Sequence, residues 1–201
     1  SISQVSGTRR YAEARERDAA GAAAWALCGA FEALALIEDE LAGEAARRLD
    51  IGVARTTGSN ALSVAEFTVG LMISCLRFQA YGNHHLQQGE WRGIGMLPGP
   101  TFLLSGKTVG IVGFGAIGQA LAGLLRGFGC HILYAKRTPL PAAEAAALNA
   151  EHAPLDRILA EADVVSLYCP LTPETTNMID ARALARMKPT ALMVNTSRAG
   201  L

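Results

Sequence analysis

Hydrophobic and polar positions follow two different rhythms along this chain. Over residues 1–50 the apolar positions are crowded and alanine-rich, and the pattern predicts helices over 9–20 and 22–49, with a break near Gly43. A weak strand at 2–5 is the one competing signal there, and 51–55 is a short apolar run suited to a strand. Thr56-Thr57-Gly58-Ser59-Asn60 reads as a loop by composition. Ser63-Val64-Ala65-Glu66 has capping-box spacing, in which each polar side chain satisfies the other's free backbone N–H. The helix it predicts runs to about Ala80, with Phe67, Leu71 and residues 73–76 giving a broad apolar face. A polar stretch, 81–92, then enters a Gly/Pro-rich linker over 93–100.

Beyond that linker the rhythm changes. Apolar, β-rich runs at 107–113, 131–135, 163–169 and 191–195 predict strands. Helices are expected between and after them at 117–126, 141–150, 156–162 (N-capped by Asp156) and 180–187. Strands alternating with helices imply an α/β fold, a Rossmann-type doubly wound parallel sheet with right-handed crossovers. The segment before it reads as an incomplete, mostly helical remnant of a second domain.

Composition narrows the function classes. Of 201 residues, 50% are hydrophobic and 18% charged, which suits a packed globular chain. Lys plus Arg and Asp plus Glu number 18 each, so no basic footprint for nucleic acid exists. The run 21–37 is almost wholly apolar, but it is shorter than the ~20 residues a span needs and contains Glu32. Glu13, Glu16 and Asp18 precede it where a secretory leader would be basic, so a buried helix is expected, with no membrane partner. Cys28, Cys75, Cys130 and Cys169 lie far apart in apolar surroundings, with no metal-ligand spacing. They read as free buried thiols in a reducing cytoplasm, and no metal is expected. The chain starts at Ser1 without Met, as a processed, trimmed or incomplete chain would.

Candidate chemistry begins at Gly113-Phe114-Gly115-Ala116-Ile117-Gly118, a GxGxxG run that follows a predicted strand and opens a predicted helix. In that context Gly113 permits the tight turn, Gly115 lets a pyrophosphate approach the backbone, and Gly118 lets helix pack on strand. Ala116 and Ile117 open the helix, whose free N–H groups and dipole favour phosphate. An acid reading the ribose 2′-hydroxyl is expected at the end of the second strand, ~20 residues on. The chain has Lys136 and Arg137 there instead, which suits a 2′-phosphate and favours NADP over NAD.

Four further motifs follow in order: Asn60-Ala61-Leu62-Ser63-Val64-Ala65-Glu66 before the glycine run, then Cys169-Pro170-Leu171-Thr172-Pro173-Glu174-Thr175, Met187-Lys188-Pro189 and Asn195-Thr196-Ser197-Arg198. Together they resemble the D-isomer-specific 2-hydroxyacid dehydrogenase family over about residues 44–201. The resemblance implies that Arg198 holds a substrate carboxylate and polarises its carbonyl. It also implies that Cys169, Pro170, Thr175, Thr196 and Ser197 line the cofactor, and that Asn60 faces the substrate. The organisation implied is a substrate-domain remnant over 1–60, an interdomain helix and dimer arm over 61–100, and a C-terminally incomplete dinucleotide-binding domain over 101–201.

The chain departs from the family pattern in places. Residues 36–42 replace a glycine-rich substrate loop, Ala199 replaces a glycine, and the family's catalytic Glu and His fall later than Leu201. His131 is expected at the wrong end of the sheet, and His84, His85 and His152 outside any site. The expected activity is hydride transfer between a nicotinamide cofactor, NADP preferred, and a small 2-keto or 2-hydroxy acid, by a homodimer. The 201 residues themselves are expected to bind cofactor and turn over poorly. The competing reading is a non-catalytic dinucleotide-binding or regulatory protein.

Overall fold

The computed structural model describes Arg48, residues 58–90 and residues 97–201. The chain divides into two compact units, Ser1–Thr57 and Gly58–Leu201, and of the first only Arg48, helical and exposed, is described. The strands expected at 2–5 and 51–55, the helices at 9–20 and 22–49 apart from Arg48, and Cys28 lie outside the described residues.

The second unit opens with α1 (Ala61–Leu76) and α2 (Gln79–Gln87). Five strands follow, β1 (Thr108–Val112), β2 (His131–Ala135), β3 (Ala150–His152), β4 (Val164–Leu167) and β5 (Leu192–Asn195). Between them come α3 (Ala116–Leu125) with a 3₁₀ turn at Arg126–Phe128, α4 (Ala142–Ala147), α5 (Leu155–Glu161) and α6 (Ala181–Arg186). All pairings are parallel and the strand order is β3-β2-β1-β4-β5. The order reverses between β1 and β4, and at such a switch point a crevice opens beyond the carboxyl ends of the strands.

Period-two alternation divides the core between the two faces of the sheet. Val109, Ile111, Ile132 and Tyr134 pack with Ala65, Met72 and Leu76 of α1 and Leu121 and Leu125 of α3. Val112, Leu133, Val165 and Leu167 turn the other way, onto Ile158 of α5 and Ala162 just after it. Both faces are covered, as the run of apolar residues in each strand requires. Among the described residues no single helix is long and apolar enough to cross a membrane.

Several local expectations are corrected. The helix does not begin at the Ser63–Glu66 box: its first residue is Ala61, and both Ser63 and Glu66 sit inside it, exposed. A turn at Gly58 (φ 76°), closed by the Ala61 N–H donating to the Gly58 carbonyl at 3.0 Å, launches the chain upstream of that box. Asn60 stands at the cap position without a side-chain capping bond. Phe78, left-handed at φ 53°, ends α1 and bends the path by 68° into α2, so most of the polar stretch is a second helix carrying His84 and His85. The face of α1 that packs is Ala65, Thr68, Met72 and Leu76, while Phe67 is 63% exposed.

Further along, helix 141–150 shortens to α4, because Asn149 at φ 50° ends it and donates its side-chain N–H to the Cys130 carbonyl at 2.8 Å. Residues 150–152 become the edge strand β3, which brings His152 onto the sheet. Pro154, not Asp156, caps α5; Asp156 lies in the first turn and pairs with Arg186. Asp180 does cap α6, accepting from the Ala183 N–H at 2.8 Å. Cys130 and Cys169 are buried free thiols, each pushed up in pKa by burial, but Cys75 is exposed.

Two stability predictions follow from this packing. A Cβ on Gly110, mid-strand in β1, would lie 2.3 Å from Ile158 Cγ2 and 3.2 Å from Ala162 Cβ. Gly110→Ala should therefore cost about 1–3 kcal/mol by overpacking, measured as a lower urea midpoint with an unchanged slope. At the amino edge, burial pushes the Asp163 carboxyl up. Hydrogen bonds from Lys188 Nζ (2.9 Å) and the Thr108 N–H (3.0 Å) outweigh that and hold it below the ordinary carboxylate range. Its contribution is full above the unfolded carboxylate pKa and lost as pH falls through the depressed folded value. Asp163→Asn should flatten the acid side of the stability profile below about pH 4; an unchanged profile contradicts the assignment.

Candidate functional site

Because all five strands are parallel, their exits share one edge, and the candidate residues collect there. β1 ends in Gly113, whose φ of 94° is left-handed and whose N–H donates to the Ala135 carbonyl at 3.0 Å. A Cβ on Gly113 would stand 2.5 Å from the Cys169 nitrogen and 2.5 Å from the Tyr168 carbonyl carbon, so the β1 exit runs directly against the β4 exit. Gly118 is equally confined, since its Cβ would meet the Gly113 carbonyl oxygen at 2.7 Å and Ile111 Cγ2 at 3.1 Å. Phe114 is buried beneath the turn and stacks on Tyr134, ring centroids 4.2 Å apart.

Gly115 is different. It holds the cap position of α3 in ordinary extended backbone (φ −84°, ψ −157°), and a Cβ there would meet nothing within 4 Å. Conformation does not require glycine at this position, nor does packing within the chain. The open space lies at the start of a ten-residue helix, where Ala116 is exposed and Ile117 half-buried, with no side chain capping the first turn. That is where backbone N–H groups and helix dipole favour an anionic group. A pyrophosphate fits the space a side chain would fill.

The neighbouring exits complete the edge. Lys136, half-buried, and Arg137, exposed, follow β2, and the Lys136 carbonyl accepts from the His152 Nε2 at 3.0 Å. Glu174, beyond β4, is held below the usual carboxylate range first by a hydrogen bond from Thr172, with Arg137 contributing its charge. Cys169 is buried and Pro170 exposed. The Thr175 hydroxyl donates to the Pro170 carbonyl at 2.6 Å and accepts from the Thr172 N–H at 2.8 Å, so it closes its own loop. Ser197 Oγ donates to the Cys169 carbonyl at 3.2 Å, tying the β5 exit to the β4 exit. Asn195 brackets the turn that presents Arg198, accepting from the Ser197 N–H at 2.9 Å and donating to the Arg198 carbonyl at 2.8 Å. Arg198 itself is exposed and donates to the Ser197 carbonyl at 3.3 Å. Asn60 is brought near by its loop: a Cβ on Gly58 would touch Ala116 Cβ at 3.4 Å.

The chain matches the model of the D-isomer specific 2-hydroxyacid dehydrogenase NAD-binding domain over residues 69–201. It belongs to that family. Among curated relatives it is 42% identical to a glyoxylate reductase of Thermococcus gammatolerans over 164 residues, which is 80% of this chain and 49% of the relative. A hydroxypyruvate reductase of Thermotoga maritima is 37% identical, with 81% of this chain and 51% of the relative covered. Among solved structures the apo D-lactate dehydrogenase of Escherichia coli superposes with TM-score 0.68 at 34% identity, over 78% of this chain and 48% of the other. The chain thus spans about half the length of the relatives it matches. A nicotinamide cofactor domain of this family is what the five-stranded sheet carries.

Two residues at this edge carry no motif and escaped the sequence reading: Thr68 of α1 and Tyr168 after β4, whose hydroxyls lie 2.8 Å apart. A signal existed for the first, since Thr68 falls in the buried stripe Ala65, Met72 and Leu76. A hydroxyl in such a stripe must find a partner. His131 is at the amino edge as expected, whereas His152 ends β3 at the carboxyl edge. Four strand spacings separate β3 from β5, roughly 19 Å at about 4.8 Å each, too far for His152 to protonate an acid held at Arg198. Among the described residues no cluster of His, Cys, Asp or Glu could hold a metal ion.

Gly115→Val tests the cradle. The position is unstrained and open, so the melting temperature should stay within about 3 °C while cofactor binding disappears. Gly118→Ala should do the reverse, destabilising the fold through its 2.7 Å backbone clash. Retained affinity in folded Gly115→Val would move the phosphate site elsewhere.

Proposed function

We propose that this chain supplies the cofactor domain and the acid-binding arginine of an NAD(P)-dependent oxidoreductase acting on a small 2-keto or 2-hydroxy acid. The observation that carries this reading is the meeting of an open glycine cradle and Arg198 on one edge of a parallel sheet, beside its switch point. The names of the glyoxylate and hydroxypyruvate reductases point to the same substrate class.

In this reading Gly113 makes the turn, and Gly115, Ala116 and Ile117 offer N–H groups and dipole to the pyrophosphate. Gly118 sets the helix close to the sheet. Cys169, Pro170, Thr196 and Ser197 wall the nicotinamide side, with Thr175 acting through its loop. A bound nicotinamide supplies or accepts the hydride at C4. Arg198 pairs its planar fork with the substrate carboxylate and polarises the C2 carbonyl, while Asn60 faces the substrate from the head of α1. Reduction also consumes one proton at the carbonyl oxygen. Burial pushes the Cys169 thiol up in pKa, which suits an uncharged wall of the cofactor cleft.

Lys136 and Arg137 favour NADPH by pairing with a 2′-phosphate. Arg137 is exposed, so most of the selectivity falls to half-buried Lys136. One charge-assisted contact of about 1.5–3 kcal/mol corresponds to a preference of at least about tenfold. Fluorescence titration should show NADPH binding that much tighter than NADH, and Lys136→Asp should cancel or invert the difference. Equal affinities in the parent chain contradict the assignment.

One observation favours a second reading, a dinucleotide-binding protein without catalysis: His131 lies at the amino edge of the sheet and His152 four strand spacings from β5, so neither reaches Arg198. NADPH oxidation with glyoxylate, hydroxypyruvate and pyruvate, against an Arg198→Ala control, separates the two. Arg198-dependent turnover supports the oxidoreductase, and cofactor binding without any turnover in the full-length protein supports the second. A homodimer is also proposed. Phe67 (63% exposed), Leu62 (56%) and Leu86 (52%) leave an apolar surface on α1 and α2 suited to a second copy. Sedimentation should give a concentration-dependent mass above 21.1 kDa; a monomer at all concentrations contradicts it.

A further inference from the structure

The Thr68 side chain is completely buried in the stripe of α1 that faces the sheet. Its hydroxyl lies 2.8 Å from the Val64 carbonyl, 2.8 Å from the Tyr168 phenol and 3.4 Å from the Thr196 hydroxyl. Valence fixes the directions. The Val64 carbonyl can only accept, so the single Thr68 proton goes there. Tyr168 and Thr196 must then both donate to Thr68, filling its two lone pairs. At 2.8 Å the tyrosine arm is a full hydrogen bond, while the threonine arm at 3.4 Å is long and weak.

This one oxygen joins three segments that each carry a candidate site residue. The Val64 N–H donates to the Asn60 carbonyl at 3.0 Å, so the Thr68 back-bond belongs to the helical turn that Asn60 heads. Tyr168 immediately precedes Cys169. Thr196 immediately precedes Ser197 and Arg198, and Ser197 returns to the Cys169 carbonyl. Packing of α1 on the sheet needs no hydroxyl, since valine has the same shape. Thr68 is fully buried while Tyr168 and Thr196 are half-buried, and a buried hydroxyl is costly unless it is satisfied, as that of Thr68 is here.

We propose that Thr68 is a positioning residue, which holds the head of α1 and the exits of β4 and β5 in register and so aligns Asn60, Cys169 and Arg198. The consequence for an acid at Arg198 rests on the function proposed above; the alignment itself does not. Hydrogen exchange resolved to single amides tests it in Thr68→Val, Thr68→Ser and Tyr168→Phe. Thr68→Val should speed exchange about tenfold at Ser197, Arg198 and Cys169, while Leu133 in β2 is unchanged. Thr68→Ser, which keeps the oxygen, should restore the parent rates. Tyr168→Phe keeps the packing and removes the stronger arm, so it should speed exchange at Cys169 most, and it serves as the test if the valine variant does not fold. Uniform acceleration across the sheet, unchanged rates at Ser197 and Arg198, or no rescue by serine overturns the proposal. Oxalate binding to the NADPH-loaded parent chain and its Arg198→Ala variant is read separately. If oxalate ignores Arg198, the acid-binding reading falls and the exchange result still decides the role of Thr68.

Discussion

At Gly113 the chain leaves β1 with no room for a side chain, pressed against the backbone of residues 168 and 169. Much of the site depends on that close passage. It requires a left-handed residue, it puts the N–H of Gly113 on the Ala135 carbonyl, and it leaves the exit of β1 hydrogen-bonded to that of β2 on one side and packed against that of β4 on the other. The Tyr168 N–H donating to the Val112 carbonyl at 2.7 Å completes the junction. From this fixed point α3 starts in a defined direction, and Gly118 keeps it close to the sheet. Between these two confined glycines, a Cβ on Gly115 would meet nothing within 4 Å.

The electrostatics of the edge follow from the same arrangement. Helix α3 presents unpaired N–H groups to the cradle, Lys136 and Arg137 follow β2, and Arg198 follows β5. The carboxylates are held ionised by their own partners: Glu174 is kept below the usual carboxylate range first by a hydrogen bond from Thr172, and Asp163 serves the opposite edge with Lys188. A chain with no net charge thereby offers an anion-attracting rim at one end of its sheet. This is a local device, invisible to the overall charge balance.

Much of the architecture was legible in the sequence because its signals were redundant. β1, β2, β4 and β5 were marked by apolar runs, and the glycine turn was marked by its place between a strand and a helix. What misled were local rules with a stronger competitor. The Ser63–Glu66 spacing lost to the upstream turn at Gly58, and the Asp156 cap lost to Pro154. Alanine-rich 141–150 hid the short edge strand β3, because nothing in its composition marks the left-handed Asn149. Motif positions carried the candidate site, but the hydroxyls of Thr68 and Tyr168 did not show, since their meeting depends on tertiary contact across 100 residues of sequence.

The central claim is that a dinucleotide lies across the carboxyl edge, with its pyrophosphate on the turn at Gly115. Amide chemical-shift mapping during an NADPH titration measures this directly. The account predicts saturating shifts at Gly115, Ala116 and Ile117, together with Lys136, Arg137 and Cys169, and none at His131, Asp163 or Thr108 on the amino edge. Shifts confined to the amino edge, or a titration that leaves the Gly115 to Ile117 amides unmoved while NADPH binds, would contradict it.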